Sequence, residues 1–434
     1  MSYRPCRTDE TKIGMLYYLS DAEGTGGRIK VFPEDFSVAE ISRGPPEDPE
    51  GKFTIAKVTS TNWETNRMVR LLSRSLGISR EKISFAGTKD KRAVTSQLMS
   101  FECTPDGLRS VGLKDLEISD IYRSKRPIKI GDLTGNRFSI RVREPEMQIE
   151  EIPGTLDSVI SDVRDAGGFP NYFGVQRFGV VRPVTHLVGE RLVRGDTEGA
   201  VRMYLSAPSE FENEEVSAAR EELAHRNDWN SLIRIMPESM GFEKSMVGHL
   251  IESPGDWTGA IETLPNNLQM MLVHAYQSYL FNMMLSKRME AGLPLNLPAA
   301  GDVVIPVSAD GTPDHDHPVC ATSKNLDLVS AQVRSGRAFV SITLFGSDSV
   351  TQEGEMGEIE SSVLEAEELK ASDFIIPGLP RCSSKGSRRE IMCPVKEIGY
   401  TMGQDFYDVE FSLPKGNYAT TLMREFMKSQ MLNY

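Results

Sequence analysis

The chain has 434 residues, 39% of them hydrophobic and 26% charged, which suits two or three soluble domains with sizeable cores. Its net charge of −13 argues against a protein coated in basic residues, but not against local basic surfaces. Five widely spaced cysteines without a C-x-x-C pair support neither a zinc knuckle nor a disulfide framework, and no apolar run is long enough to span a bilayer. The polar start, MSYRPCRTDE, carries no signal-peptide pattern, so a cytoplasmic location is expected.

In chain order, Gly24–Gly27 lacks phosphate-loop spacing and reads as a turn. RIKVFPEDFSVAEI (28–41) reads as a strand, a break at Pro33, and a second strand carrying Phe36, Val38 and Ile41. Residues 44–49, GPPEDP, form a breaker-rich loop. After a strand at 53–58, Thr61-x-x-Glu64 has capping-box spacing and predicts a helix ending at Gly77. Met68, Val69, Leu72 and Leu76 supply its apolar stripe.

The stretch ISFAGTKDKRAVTSQLMSF (83–101) predicts two short strands around a charged tip, Thr88–Arg92. Asp90 is the only acid in the tip, among Lys89, Lys91 and Arg92. Such a carboxylate is a candidate nucleophile toward a substrate whose phosphates the bases could meet. A solvated turn has the same composition. Between Asp120 and Arg143 there are seven bases and two acids. Within it GNRFSIRVR (135–143) alternates, with Phe138, Ile140 and Val142 on one face and arginines on the other. By periodicity Phe138 is core.

A short amphipathic helix (Leu156, Val159, Ile160, Val163) stops at Gly167-Gly168, before the aromatic string FPNYFGVQRFG (169–179). Residues 185–250 read as helical, and a long helix is expected from 264 to 290, with His274 as a packed histidine. PDHDHP (313–318) is a weak metal motif, and no metal is expected. A glutamate-rich segment (352–370) and a basic one (Arg381, Lys385, Arg388, Arg389) precede strands at 391–399 and 405–413 and a final helix.

The strings Phe85-Ala86-Gly87-x-Lys89-Asp90-x-x-Ala93-x-Thr95-x-Gln97, Lys30 with Pro33–Phe36 and Glu40, GNRF (135–138), 170–179, and LPKGNYATTLMRE (413–425) resemble, in the same order, the TruD family of tRNA pseudouridine synthases. The resemblance implies an α/β (α+β) fold: a pseudouridine-synthase catalytic domain with a mixed, mostly antiparallel sheet (1–168 and 385–434), interrupted by a TruD-specific insertion (169–384). It implies Asp90 as catalytic aspartate, and substrate contacts from Lys30, Phe36, Lys89, Asn136, Phe138 and Tyr418. Arg126, Arg141, Arg177 and Arg388 become candidates for the RNA backbone. The implied reaction isomerises uridine 13 in the tRNA D arm, without a cofactor. The implied partner is tRNA, with no membrane, no obligate protein partner and a monomeric enzyme. Two other classes remain: a glycosidase, which would pair Asp90 with a second carboxylate from Glu34, Asp35 or Glu40, and a non-catalytic RNA-binding protein.

Overall fold

Period-two alternation builds the larger sheet in the computed structural model, which describes residues 3–309 and 311–434. The chain divides into two compact units, one formed by residues 22–169, 393–429 and 433–434, the other by 1–21, 170–392 and 430–432.

The first unit contains an eight-stranded sheet. Its strands are β1 (Phe36–Ser42), β2 (Phe53–Thr61), β3 (Ile83–Phe85), β4 (Val94–Phe101), β5 (Leu116–Ser124), β6 (Leu133–Arg143), β7 (Lys396–Met402) and β8 (Phe406–Pro414). The order is β7-β8-β6-β1-β4-β2-β5, and β3 pairs with β4 beside this path. The β1–β4 pair is parallel and the other pairs are antiparallel. β1, β4, β6 and β8 each turn alternate residues inward: Phe36 and Val38, Thr95 and Gln97, Phe138 and Ile140, Val409 and Phe411 are buried. On this face α1 (Thr65–Leu76) buries Met68, Val69 and Leu72 in one cluster with Ala56, Val58, Met99 and Phe101. The unit also holds α2 (Ile152–Ala166) and α3 (Ala419–Met427), every residue of α3 being buried.

The α1 boundaries correct one expectation. Gly77 ends the helix in the left-handed conformation, φ 64°, as the C′ position requires. The N-cap, however, is Glu64 itself, whose carboxylate accepts the amides of Asn66 and Arg67. Thr61 is still in β2, where it pairs with Val94. A second glycine is fixed by packing. A Cβ on Gly168 would lie 2.2 Å from the Cys393 carbonyl oxygen.

In the second unit, helices follow one another from Thr185 to Glu252, and Asn266–Glu290 forms a long, largely buried helix. A four-stranded antiparallel sheet of 319–320, 303–306, 338–344 and 387–390 completes it. Arg288 on the long helix forms a fully buried pair with Asp302, with contacts of 2.7 and 2.8 Å.

The unit borders differ from those expected at 168 and 385. Residues 387–390 pair with 338–344, which carries them into the second unit. Residues 3–21 also belong there, and the long helix holds 13–16: the Asn282 side-chain amide donates to Ile13, the Ser286 hydroxyl donates to Gly14, and the Leu16 amide donates to Ser286.

Candidate active site

The β3–β4 hairpin fixes the acidic loop. Ile83, Ser84 and Phe85 pair with Phe101, Ser100 and Met99, so Ala86–Ala93 is the loop that carries the chain from β3 to the start of β4 at Val94. Asp90 stands in that loop with its side chain 55% exposed. The cation that meets it comes from 60 residues earlier: Lys30 Nζ lies 3.4 Å from Asp90 Oδ2 and 4.3 Å above the Phe36 ring. Lys30 is 16% exposed and adopts φ 57°, a left-handed backbone that non-glycine residues hold at a cost. Arg92 adds a second tie by donating to the Val31 carbonyl at 2.9 Å. The 30–31 segment and the loop are thus fastened at Asp90 and at Arg92.

Lys89 points the other way. Its backbone amide donates to the Thr65 hydroxyl at the start of α1, and its ammonium lies 2.7 Å from Glu40. The Lys89 and Glu40 side chains are 7% and 1% exposed. The Ser42 hydroxyl is a further donor to Glu40. Of the bases flanking Asp90 in the sequence, one is therefore an internal anchor.

Phe138 lies on the same sheet face. It stacks on Phe411 at 5.3 Å and meets Phe36 edge-on at 6.1 Å, and it is 7% exposed. Its burial is that of a core residue, as its periodicity implied. Asn136 sits opposite Glu40 on β6, and its Oδ1 is buried without a hydrogen-bond partner. Tyr418 is half-buried directly before α3.

The arginines proposed for RNA differ in availability. Arg126 is 3.1 Å from Asp132 and remains about half exposed. Arg141 grips Asp408 with two bonds of 2.8 and 2.9 Å and stacks 3.7 Å over Phe406; hydrogen bonding to Asp408 raises its pKa further. Arg177, in the second unit, lies 5.4 Å over Phe173, and its Nε is buried without a partner. Arg388 is already committed: Nε and Nη1 donate to the Ser341 and Thr343 hydroxyls and Nη2 to the Ser341 carbonyl. Burial lowers its pKa. Its place among the phosphate contacts is withdrawn, because those donors already serve the second unit's sheet.

Two of the three possible second carboxylates are engaged. Asp35 is buried, accepting Arg143 Nε at 2.8 Å and the Phe32 amide at 2.8 Å, while Glu40 holds Lys89. Among the described residues no group of three or more His, Cys, Asp or Glu side chains is placed to hold a metal. His315 instead meets Glu390 at 3.2 Å, and His317 meets Asp314 at 2.9 Å. His274, expected to be packed, is exposed on the long helix.

Sequence reasoning missed the tie between Glu40 and Lys89 and the role of Thr65. The signal available for Glu40 was its spacing from Phe36 and Val38, which puts a carboxylate on an inward face, where a cation is required.

Comparison with known proteins places this arrangement in a family. The family model for tRNA pseudouridine synthase D (TruD) matches residues 12–426. A "probable tRNA pseudouridine synthase D" of Methanococcoides burtonii is 39% identical over 430 residues, covering 98% of each chain. One of the same description from Pyrococcus furiosus is 37% identical over 421 residues, covering 96% of this chain and 99% of the relative. A crystal structure of the "Putative tRNA pseudouridine synthase D (TruD)" of Methanosarcina mazei superposes with a TM-score of 0.87 at 39% identity, covering 98% of both chains. With a family match over nearly its whole length and relatives of this similarity end to end, the chain belongs to the tRNA pseudouridine synthase D (TruD) family.

Proposed function

We propose that this protein isomerises uridine to pseudouridine in tRNA, at uridine 13 of the D arm, with Asp90 as the reacting carboxylate. The observation that carries the reading is the Asp90 loop itself: an exposed carboxylate paired with Lys30, whose ammonium lies over Phe36 on the sheet face that also bears Phe138 and Asn136.

The reaction breaks the C1′–N1 bond, turns the uracil and joins C5 to C1′. C5 gives up a proton and N1 gains one, so there is no net redox change and no water is consumed. The residues need only hold the base, stabilise charge at the sugar and move a proton. Asp90 either attacks C1′ or removes a proton at C2′ to give a glycal. Lys30 orients the carboxylate in both routes. The base leaves its stack to reach the loop. The Asn136 amide offers hydrogen bonds to the uracil edge, and Phe36, Phe138 and Tyr418 form the apolar surroundings of the base.

The glycosidase reading needs a second carboxylate roughly 5 Å from the first. The engagement of Asp35 and Glu40 with cations leaves it little support.

Phe138→Leu tests the aromatic contribution separately from the fold. It keeps most of the buried volume, so the stability cost should stay below about 1.5 kcal/mol. Loss of a stacking surface worth about 1–3 kcal/mol should lower kcat/KM by roughly 5–150-fold. Wild-type turnover would reduce Phe138 to packing alone.

Binding of tRNA should weaken steeply with salt despite the acidic composition, because local bases meet phosphates. Arg126→Gln should lessen the slope of log Kd against log salt by about one. A flat plot for the wild type would point to a small uncharged substrate. The function itself is tested by incubating a D-arm-containing tRNA transcript with the protein and mapping pseudouridine by position; no product at position 13 would refute the site assignment.

A further inference from the structure

Gln97 lies on the inward face of β4, 2% exposed, and neither its Oε1 nor its Nε2 has a hydrogen-bond partner. A buried amide with both ends unpartnered lowers stability, so its presence calls for a use. The register supplies the neighbour. β1 and β4 run parallel with Ala39 beside Ser96, so Glu40 and Gln97 come next in line. Both side chains point inward, on strands about 4.8 Å apart. Glu40 holds Lys89 Nζ at 2.7 Å. An ammonium has three N–H donors, and a buried one is poorly served by a single acceptor. The register sets the Gln97 amide beside the carboxylate that holds this ammonium, with an unused oxygen on a torsion that turns easily.

We propose that Gln97 is a positioning residue: its Oε1 accepts a second N–H from Lys89 when the site assembles around tRNA. That bond fixes the residue immediately before Asp90 and so the direction of the carboxylate. The inference rests on the reading of Asp90 as the reacting group.

The test uses the full chain with prefolded tRNA and compares Gln97→Met with Gln97→Glu. Met fills the space without an acceptor. It should lower kcat about tenfold, the value of one hydrogen bond to a charged donor, leave KM for tRNA unchanged and leave the thermal midpoint no lower. Glu retains an acceptor and should restore kcat at pH 8. Wild-type kcat in Gln97→Met would overturn the proposal. So would a Gln97→Glu variant as slow as Gln97→Met, because the amide N–H and not the oxygen would then matter, as in a direct contact to a uracil carbonyl. A Gln97→Met variant that melts early or fails to fold would also overturn it, since the amide would then be structural. Asp90→Asn assayed alongside separates the two levels: retained turnover there removes the nucleophile reading, whatever the Gln97 variants show.

Discussion

Asp90→Asn should reduce turnover on tRNA by at least about three orders of magnitude while leaving fold and affinity nearly intact. The side chain is more than half exposed, and its ion pair with Lys30 is long, so little stability depends on it. The amide matches the carboxylate in shape but can neither attack C1′ nor remove a proton from C2′. Binding should persist because the bases proposed to meet phosphates lie at other positions. The measurement is single-turnover pseudouridine formation alongside tRNA binding at fixed salt. Substantial turnover in this variant would remove Asp90 from the mechanism, and a matching loss of affinity would make it a binding residue instead.

Lys89→Met should give the largest loss of stability in the Asp90 loop. Lys89 and Glu40 are both nearly inaccessible and 2.7 Å apart. Removing the ammonium leaves a carboxylate buried without its cation, which costs about 3–5 kcal/mol. For a unit of this size that lowers its thermal midpoint by roughly 6–20 °C. Replacing both partners, Lys89→Met with Glu40→Leu, should recover most of the loss, because no charge is then stranded. Turnover should fall in both variants, since each frees the residue next to Asp90, whereas tRNA affinity should hold because the ammonium faces Glu40 and not solvent. A midpoint for Lys89→Met within about 2 °C of wild type would show that Glu40 finds another partner, and the anchoring role of Lys89 would fail.

Local pattern by itself determined a good deal here. Alternation located β6 and the inward side of Phe138; the left-handed glycine ended α1 at Gly77; the hairpin around Asp90 followed from two β-prone runs and a charged tip. These features depend on a residue's relation to its next few neighbours, which is the range over which helix and strand periods act. Tertiary structure decided the charge partners. Lys30 reaches Asp90 across 60 positions, Lys89 turns inward to Glu40 across 49, and Arg141 closes on Asp408 across 267. Composition could not tell a base facing RNA from one buried against a carboxylate, and Arg388 shows the difference, since β-pairing with 338–344 places Ser341 and Thr343 around its guanidinium. The helix start follows the same rule. Thr61 and Glu64 are both able to cap, and pairing of Thr61 with Val94 extended β2 and moved the cap to Glu64. An ion pair or a strand register depends on which distant segments the fold brings together, and no window along the chain contains that information.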